Sequence, residues 1–295
     1  PAILIVASHP SGEEWSDLRV AAIRNSLREA IADVRINTLY LDARNTDSSG
    51  YAPYFLLHLE DFQRTRYDKI ILLDDPALKA YLDYAGFLLG SEAMAVGIND
   101  AELVSRAREN LIPLALPTQA MIESAELARQ VTGHNALLLL HSETSSGERL
   151  SAQAKAQLEI FGFNDIRALS WRALRSGGED YSGYAMLALD APYTLSRTTA
   201  RSALAEYFNQ RFEAFFCYAD YLRLYGCDGG AFIDVVALGD NIAAWAGSDT
   251  WNGADIAVPL VPSLDYQWLD ALPDGVTVEV LDGPDWRAAP DWLWA

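Results

Sequence analysis

The start of the chain constrains the fold most, because a run of small and aliphatic residues gives way abruptly to polar ones. Residues 2–7 read Ala-Ile-Leu-Ile-Val-Ala, and Ser8, His9 and Pro10 follow directly. Such an apolar run is typical of a strand that is buried on both faces of a parallel sheet. From Trp15 onwards, apolar residues recur at helical spacing. The opening therefore predicts a β-α unit, and open α/β sheets bind their ligands at the carboxyl ends of such strands.

The alternation of apolar strand and amphipathic helix continues through the first 110 residues. Strands are predicted at residues 34–41, 67–73 and 93–98, and helices at 54–64 and 77–89. We interpret Asp74 and Asp75, which precede Pro76, as the N-cap of the helix at 77–89, since aspartate accepts the unpaired amide hydrogens there. Successive β-α units of about 25 residues predict a parallel, doubly wound sheet.

The alternation restarts after residue 110. Strands are predicted at 112–116, 135–140, 165–169, 184–189, 214–218, 229–236 and 256–260, and helical segments at 117–131, 146–161, 198–208, 220–224 and 238–246. The tail from Pro262 is rich in Trp, Asp and Pro and closes the regular part. Two successive α/β lobes, each with strands that end in small polar or acidic residues, predict a bilobal cleft.

Composition and charge are those of a globular protein and exclude some partners. The chain has 295 residues, of which 51% are hydrophobic and 21% charged, so there is ample material for a core. The net charge of −19 argues against nucleic acid as a partner, because phosphate binding needs a basic surface. It also argues against binding flat to anionic lipid.

The sequence contains neither a membrane-spanning run nor a signal segment. No apolar run approaches the roughly 18 to 20 residues that span a bilayer. The chain starts at Pro1 without a methionine, and no basic-then-apolar segment opens it. We therefore expect a fragment of a longer protein, whose other parts would carry any signal peptide or transmembrane helix.

Sequence motifs for cofactors, metals and covalent catalysis are absent. Gly-x-Gly-x-x-Gly, Gly-x-x-x-x-Gly-Lys, His-Glu-x-x-His and Gly-x-Ser-x-Gly do not occur. Cys217 and Cys227 are the only cysteines, too few for a four-ligand zinc site. They either form a disulfide in an oxidising compartment or are two small buried residues. The sequence therefore predicts no cofactor, no metal and no catalytic residues, and we expect a non-enzyme.

Several segments resemble a known family. They are residues 3–10 (ILIVASHP) with Trp15, residues 39–44 (LYLDAR), 68–78 (DKIILLDDPAL), 96–100 (VGIND) and 225–230 (YGCDGG). These are similar to the periplasmic-binding-protein-like domains grouped as uncharacterised ABC-transporter substrate-binding proteins. Such domains recur as extracytoplasmic sensor domains of bacterial histidine kinases. The resemblance spans nearly the whole chain, is strongest over residues 1–100 and includes no catalytic signature.

The resemblance implies the type I periplasmic-binding-protein-like fold, with two Rossmann-like, doubly wound α/β lobes, a hinge and a ligand cleft between the lobes. It implies an N-terminal lobe of residues 1–110 plus about 237–295, and a C-terminal lobe of residues 111–236. Residues 272–278 and 284–286 are similar to the segment that sensor forms place just before a membrane helix.

The implied function is a periplasmic or extracytoplasmic small-molecule sensor domain of an inner-membrane signal transduction protein, such as a histidine kinase. The expected partners are a small-molecule ligand and a membrane tether with signalling domains outside this fragment; a homodimer would suit signalling. A free substrate-binding subunit of an ABC importer is the alternative within binding proteins. A two-lobed enzyme such as a glycosyltransferase is the alternative of another class.

The candidate ligand-binding residues follow predicted strand ends in both lobes. His9 and His141 end equivalent strands, and they either face one another across a cleft or simply end their strands in solvated loops. We interpret His58 and His134 as structural. For Asp75, Asn99 and Asp100 a cap or turn role is the other interpretation. The residues expected to line one wall are Ser8, His9, Trp15, Asp75, Asn99 and Asp100, and those of the other wall are His141, Ser142, Thr144, Asp190, Tyr193 and Tyr218.

Overall fold

The chain divides into two compact units, each built from two separate stretches. The computed structural model describes residues 1–43, 55, 57–58, 64–84, 91–176, 180–190, 214–219, 222, 226–251, 253–273 and 276–281. The first unit comprises Pro1–Pro117 and Asp234–Pro259, and the second comprises Thr118–Ile233 and Leu260–Ala295. The chain therefore passes from one unit to the other three times, and each unit has its own sheet.

The first unit contains a parallel sheet of five strands in the order β2-β1-β3-β4-β5. Its strands are β1 (Ala2–Ala7), β2 (Arg35–Tyr40), β3 (Lys69–Leu73), β4 (Glu92–Val96) and β5 (Leu114–Ala115). Its helices are α1 (Glu14–Ala30), α2 (Asp74–Tyr84), α3 (Ala101–Glu109) and, after the second unit, α7 (Val235–Ala246). Every residue of β1 is buried, and Leu4 and Val6 share one core cluster with Leu78 of α2 and Leu103 of α3. The apolar opening therefore forms the central strand that its sequence predicts.

The second unit contains a sheet of seven strands in the order β12-β11-β10-β9-β8-β6-β7. Its strands are β6 (Ala136–His141), β7 (Asp165–Ser170), β8 (Ala185–Ala188), β9 (Phe215–Cys217), β10 (Gly229–Ile233), β11 (Leu260–Asp265) and β12 (Glu279–Leu281). Its helices are α4 (Thr118–Thr132), α5 (Ser145–Ile160), α6 (Trp171–Ser176) and a 3₁₀ helix (Tyr266–Ala271). All neighbouring strands are parallel except β10 and β11. Leu137 and Leu139 of β6 share a core with α4 and α5.

The tail departs from the sequence expectation, which placed residues 237–295 together in the N-terminal lobe. Strand β11 pairs antiparallel with β10, and β12 pairs parallel with β11, so both belong to the second sheet. Leu264 of β11 is fully buried in the core of the second unit. Residues 256–259 of the strand predicted at 256–260 are not in a strand, and Leu260 begins β11. The amide of Ile256 donates to the backbone oxygen of Leu114 in β5. At residue 260 the chain therefore enters the second unit for a second time, and its tail extends the sheet of that unit.

Helix boundaries also differ in places. Helix α2 begins at Asp74 rather than after Pro76, so Asp74 and Asp75 lie in its first turn and are not its N-cap. Helix α6 and the 3₁₀ helix were not predicted. The predicted segments at 54–64, 198–208 and 220–224, and the end of the helix predicted at 77–89, lie wholly or mostly outside the described residues.

Cys217 and Cys227 form a disulfide, which decides between the two interpretations of these residues. Both cysteines are fully buried, and the bond joins the last residue of β9 to the segment that leads into β10. Within the described ranges, no helix combines the length and the apolar character needed to cross a membrane.

Candidate functional site

In the first unit, polar side chains gather where β1, β3 and β4 end. Because these strands are parallel neighbours, their carboxyl ends lie at one edge of the sheet. His9 follows β1, Asp74 and Asp75 follow β3, and residues 97–100 follow β4. Helix α1 adds Trp15 and Arg19. We call the set His9, Trp15, Arg19, Asp74 and Asp75 the first polar edge.

Arg19 is the centre of the first polar edge. Its Nη2 donates to both carboxylate oxygens of Asp74, at 3.0 and 2.7 Å. Its guanidinium carbon lies 4.3 Å from the centre of the Trp15 ring, a cation–π contact. The His9 ring packs edge-on against Trp15 with centroids 4.7 Å apart, and its Nε2 lies 3.8 Å from Asp74 Oδ2. The Trp15 ring is therefore in contact with the Arg19 guanidinium and the His9 ring.

The backbone around this ion pair is unusual. Asp74 has φ of +69°, a left-handed conformation that costs a non-glycine residue about 1 kcal/mol or more. Gly97 has φ of +76°, and a Cβ there would lie 2.7 Å from Asp74 Oδ1 and 2.9 Å from Arg19 Nη1. Glycine at 97 thus provides the conformation and the space that the ion pair needs.

Asp75 contacts the loop after β4 rather than its own helix. Its Oδ1 accepts hydrogen bonds from the amides of Asn99, at 2.9 Å, and Asp100, at 3.2 Å. Burial raises the pKa of Asp75 to about 6, although the two hydrogen bonds act in the opposite direction. Asn99 Nδ2 donates to Gly97 O, and Asp100 Oδ1 accepts from the amides of Glu102 and Leu103 as the N-cap of α3. Asp100 therefore has the cap role that was its other interpretation.

Ser8 connects backbone segments inside the first unit. Its hydroxyl is fully buried, donates to Leu73 O at 2.6 Å and accepts from the amide of Ala77 at 2.9 Å. It therefore joins the end of β1 to the end of β3 and the start of α2. Both of these bonds are internal to the protein, so Ser8 positions its neighbours.

In the second unit, the polar side chains lie where β6 and β8 end. We call the set His141, Ser142, Thr144 and Asp190 the second polar edge. The carboxylate of Asp190 accepts hydrogen bonds from the amide and, at 2.6 Å, from the hydroxyl of Ser142. The hydroxyls of Ser142 and Thr144 are 2.8 Å apart, and Thr144 Oγ1 caps α5 by accepting from the amide of Gly147. The second edge is a network of hydroxyls around one carboxylate.

Close packing fixes this network. A Cβ on Gly147 would lie 2.5 Å from Ser142 Oγ and 2.8 Å from Asp190 Oδ2. Trp171 Nε1 donates to Asp190 O at 2.9 Å, and His141 Nδ1 lies 2.8 Å from Ser142 O. Burial raises the pKa of Asp190, whereas its hydrogen bonds from Ser142 and the nearby His141 lower it. Carboxylate and hydroxyl groups are thereby held in one arrangement.

Two candidate residues remain. Tyr218 is buried in the core of the second unit, and Tyr193 lies outside the described residues. In the portion of the chain with described coordinates, no group of three or more His, Cys, Asp or Glu is arranged to hold a metal ion.

Three important residues were missed at the level of sequence: Arg19 and Asp74 of the first polar edge, and Gly147, which lies next to the second. Arg19 follows Trp15 by four residues and so shares its helical face, which is a signal that could have found it. Asp74 was interpreted as a cap, and its ion pair depends on a contact 55 residues away in sequence. Gly147 carries no sequence signal, because its role depends on how closely Asp190 and Ser142 approach.

Comparisons with known proteins identify the fold through solved structures. No protein-family model and no curated protein matches the chain. A substrate-binding protein with adhesive properties from Clostridium difficile, in its ligand-free, open structure, matches with a TM-score of 0.66 and 11% identity over 96% of this chain and 99% of that one. A carbohydrate transporter solute-binding protein from Agrobacterium radiobacter, in complex with D-arabinose, matches with a TM-score of 0.55 and 11% identity over 88% of this chain and 92% of that one.

A third match is a regulator rather than a transport protein. A LacI transcriptional regulator from Lactobacillus brevis matches with a TM-score of 0.56 and 13% identity, over 88% of this chain and 99% of that one. Likeness at such identities concerns the fold alone, and the fold class predicted from the sequence is confirmed. The chain has the two-lobed α/β fold, with parallel sheets, of the type I periplasmic binding proteins.

Proposed function

We propose that the chain is a small-molecule-binding domain and that residues of the two polar edges supply its ligand contacts. The observation that carries this proposal is the placement of polar groups in each unit, at the carboxyl ends of central parallel strands. Open α/β sheets bind their ligands there. Two of the matched structures support it, since one is a substrate-binding protein and the other a solute-binding protein in complex with D-arabinose.

We propose fewer ligand-contacting residues than the twelve that the sequence suggests. Ser8, Asp100 and Thr144 use side-chain oxygens in internal hydrogen bonds and act by placing their neighbours. Ser142 is likewise used in internal hydrogen bonds, and Tyr218 is buried in the core of the second unit. The proposed contacts are therefore His9, Trp15, Asp75 and Asn99 in the first unit, and His141, Asp190 and Tyr193 in the second. Carboxylates and hydroxyls of this kind suit a ligand with hydroxyl or amine groups, and aromatic rings suit its apolar face.

We further propose that this domain is the extracytoplasmic sensor of a membrane-bound signalling protein, as the tail segments 272–278 and 284–286 suggest by their resemblance. The Cys217–Cys227 disulfide supports an extracytoplasmic site, because disulfides persist in oxidising compartments. A signal requires that the ligand bind one conformation of the chain more tightly than another. A kinase or other output domain encoded after a membrane helix in the full-length gene would support the sensor.

The second candidate is a free substrate-binding subunit of an ABC importer. It is favoured by the solute-binding protein from Agrobacterium radiobacter among the structural matches. A reading frame that ends at the tail would support it over the sensor. The matched proteins are binding proteins or regulators, and we infer that this chain is likewise not an enzyme.

Ligand titration tests the proposal. Pentoses and hexoses, beginning with D-arabinose, would be titrated into the protein by calorimetry and tryptophan fluorescence. We expect the paired substitution His9→Ala and His141→Ala to weaken binding by about tenfold or more, since it removes one contact from each edge. The paired substitution His58→Ala and His134→Ala is the control and should change affinity by less than about twofold. Unchanged affinity after loss of His9 and His141 would contradict the site.

A further inference from the structure

Asp75 connects two segments that follow neighbouring strands of the first sheet. It lies in the first turn of α2, after β3, and its carboxylate accepts the amides of Asn99 and Asp100, after β4. Asp75 thereby holds residues 97–100, which we call the 97–100 loop, against α2.

The 97–100 loop borders the charged part of the first polar edge. The Cα of Gly97 is so close to Asp74 and Arg19 that a Cβ would collide with both side chains. At the other end of the loop, Asp100 caps α3. Displacement of the loop would therefore change the surroundings of the Arg19–Asp74 ion pair and the start of α3 together.

The surroundings of Asp75 oppose its ionisation. Burial is the largest effect and raises the pKa of Asp75 to about 6; the amides of Asn99 and Asp100 lower it. The charged groups that face it in the described structure are Asp74 on its own helix and Asp100 before α3, and both raise the pKa. At neutral pH the Asp75 carboxylate is therefore ionised in surroundings that solvate it less well than water does.

We propose that Asp75 is a positioning residue whose protonation state sets how firmly the 97–100 loop is held against α2. Opening of the loop exposes Asp75 to water, which favours its ionised form, so loss of the proton favours opening. Because the pKa is raised in the closed form, the stabilisation is complete below the ordinary pKa of 3.8 and is lost as the pH rises through about 6. The loop is held most firmly in acidic solution and opens more readily at neutral pH.

Hydrogen exchange of the Asn99 and Asp100 amides in the ligand-free protein tests this proposal. Protection factors, corrected for the intrinsic pH dependence of exchange, would be measured by NMR from pH 4.5 to pH 8. We expect protection of both amides to fall by about tenfold between pH 5 and pH 7.5. The carbon-13 shift of the Asp75 carboxyl group, followed over the same range, should titrate with the same midpoint.

Two substitutions separate positioning by charge from a merely structural contact. Asp75→Asn keeps an acceptor oxygen without the charge, so protection at pH 7.5 should rise to the wild-type level at pH 5 and lose its pH dependence. Asp75→Ala removes the acceptor, so protection should be low at every pH. Asp234→Asn is the matched control, because Asp234 also accepts two amides, those of Val236 and Ala237, at the start of α7. It should leave the profile of Asn99 and Asp100 unchanged.

Three results would overturn the proposal. One is wild-type protection at Asn99 and Asp100 that does not vary with pH, or that increases from pH 5 to pH 7.5. Another is an Asp75→Asn protein that retains the wild-type pH profile, because a different group would then be responsible. The third is an Asp75 carboxyl group that titrates near its ordinary pKa of 3.8 in the folded protein. The wild-type and Asp75→Asn proteins decide the matter even if Asp75→Ala does not fold.

Discussion

Both polar edges lie at the carboxyl ends of parallel strands, but their carboxylates have different partners. In the first unit, the Asp74 carboxylate is compensated by the Arg19 guanidinium, which also packs on Trp15. In the second unit, Asp190 is satisfied by the amide and hydroxyl of Ser142, and its described contacts include no guanidinium. Each edge also has a carboxylate with a raised pKa that accepts hydrogen bonds from the loop after a neighbouring strand. Asp75 accepts two amides, and Asp190 accepts one amide and one hydroxyl.

The difference shows how each edge obtains a fixed arrangement. An ion pair holds the first edge, so its rigidity depends on two buried charges that remain matched. Hydrogen bonds from backbone and hydroxyl donors, together with close packing, hold the second, so its rigidity depends on shape and on one glycine. We therefore expect substitutions of charge to affect the first edge most and substitutions of volume to affect the second most.

The largest difference between the units should come from the disulfide, which joins Cys217 to Cys227 ten residues apart in the second unit. Reduction, or the paired substitution Cys217→Ala and Cys227→Ala, should lower the stability of the second unit by about 3 kcal/mol, because the unfolded chain gains freedom. Hydrogen exchange should show lost protection in β9 and β10 while β1 and β3 keep theirs. Reductant should have no effect on the doubly substituted protein. Equal loss in both sheets would show that the units do not unfold separately.

Loss of Arg19 should have the next largest effect on stability, and this effect should be confined to the first edge. Arg19→Ala leaves the Asp74 charge unpaired, and both side chains are mostly buried, with 11% and 14% of their surface exposed. We expect the free energy of unfolding to fall by about 2 kcal/mol, less than for a fully buried pair. Urea denaturation measures the change. The control is Arg108→Ala, because its ion pair with Asp255 is about half exposed and should contribute close to zero.

Added volume tests the second edge. Gly147→Ala places a Cβ 2.7 Å from the backbone oxygen of Ser142 and 2.8 Å from Asp190, so the network must shift. We expect a loss of about 1.5 kcal/mol in the free energy of unfolding, within the usual range for overpacking. Gly183→Ala is the matched control in the same unit, where a Cβ would have no neighbour within 4 Å. Equal stabilities of the two variants would mean that the hydroxyl network tolerates displacement.

Removal of charge from the second edge should give the smallest effect, with the opposite sign. Burial raises the pKa of Asp190, so its stabilising contribution is present in acid and is lost as the pH rises through the raised value. Asp190→Asn should therefore increase the free energy of unfolding at pH 8 by roughly 0.5 kcal/mol and leave it unchanged at pH 4.

Asp180 provides the comparison for this last prediction. The hydrogen bonds from Ser182 lower its pKa, so Asp180→Asn should act in the opposite direction and reduce stability at pH 8. Both variants would be measured by urea denaturation at the two pH values. A decrease in stability for Asp190→Asn at pH 8 would mean that the bonds from Ser142 to the charged carboxylate outweigh the effect of burial.

The central strands of both sheets could be predicted from sequence because their apolar runs are local signals. Residues 2–7 and 136–141 are buried almost throughout, as the unbroken runs indicate. The tail could not be placed in this way, since Pro262 interrupts its pattern and β11 is defined by pairing with β10. A strand of this kind depends on a partner that is distant in sequence.

The same distinction separates what could and could not be predicted of the site. Strand-end positions led to His9, Asp75 and Asp190, because the carboxyl ends of parallel strands meet at one edge. The separate role of each of these residues depends on contacts between secondary-structure elements. The burial of Ser8 between two backbone segments and the pairing of Arg19 with Asp74 are examples that no local pattern reveals.

The two-part construction of the first unit has a consequence for synthesis of the protein. Helix α1 packs along α7, with Gly239 closely approached by Ala22 and Ser26, and the fully buried Trp245 lies beside Lys69. About 200 residues, including most of the second unit, must leave the ribosome before α7 can reach α1. Such distant contacts close slowly. The part of the protein that is translated first is thus the part that finishes folding late, and until then its apolar surface needs protection from aggregation.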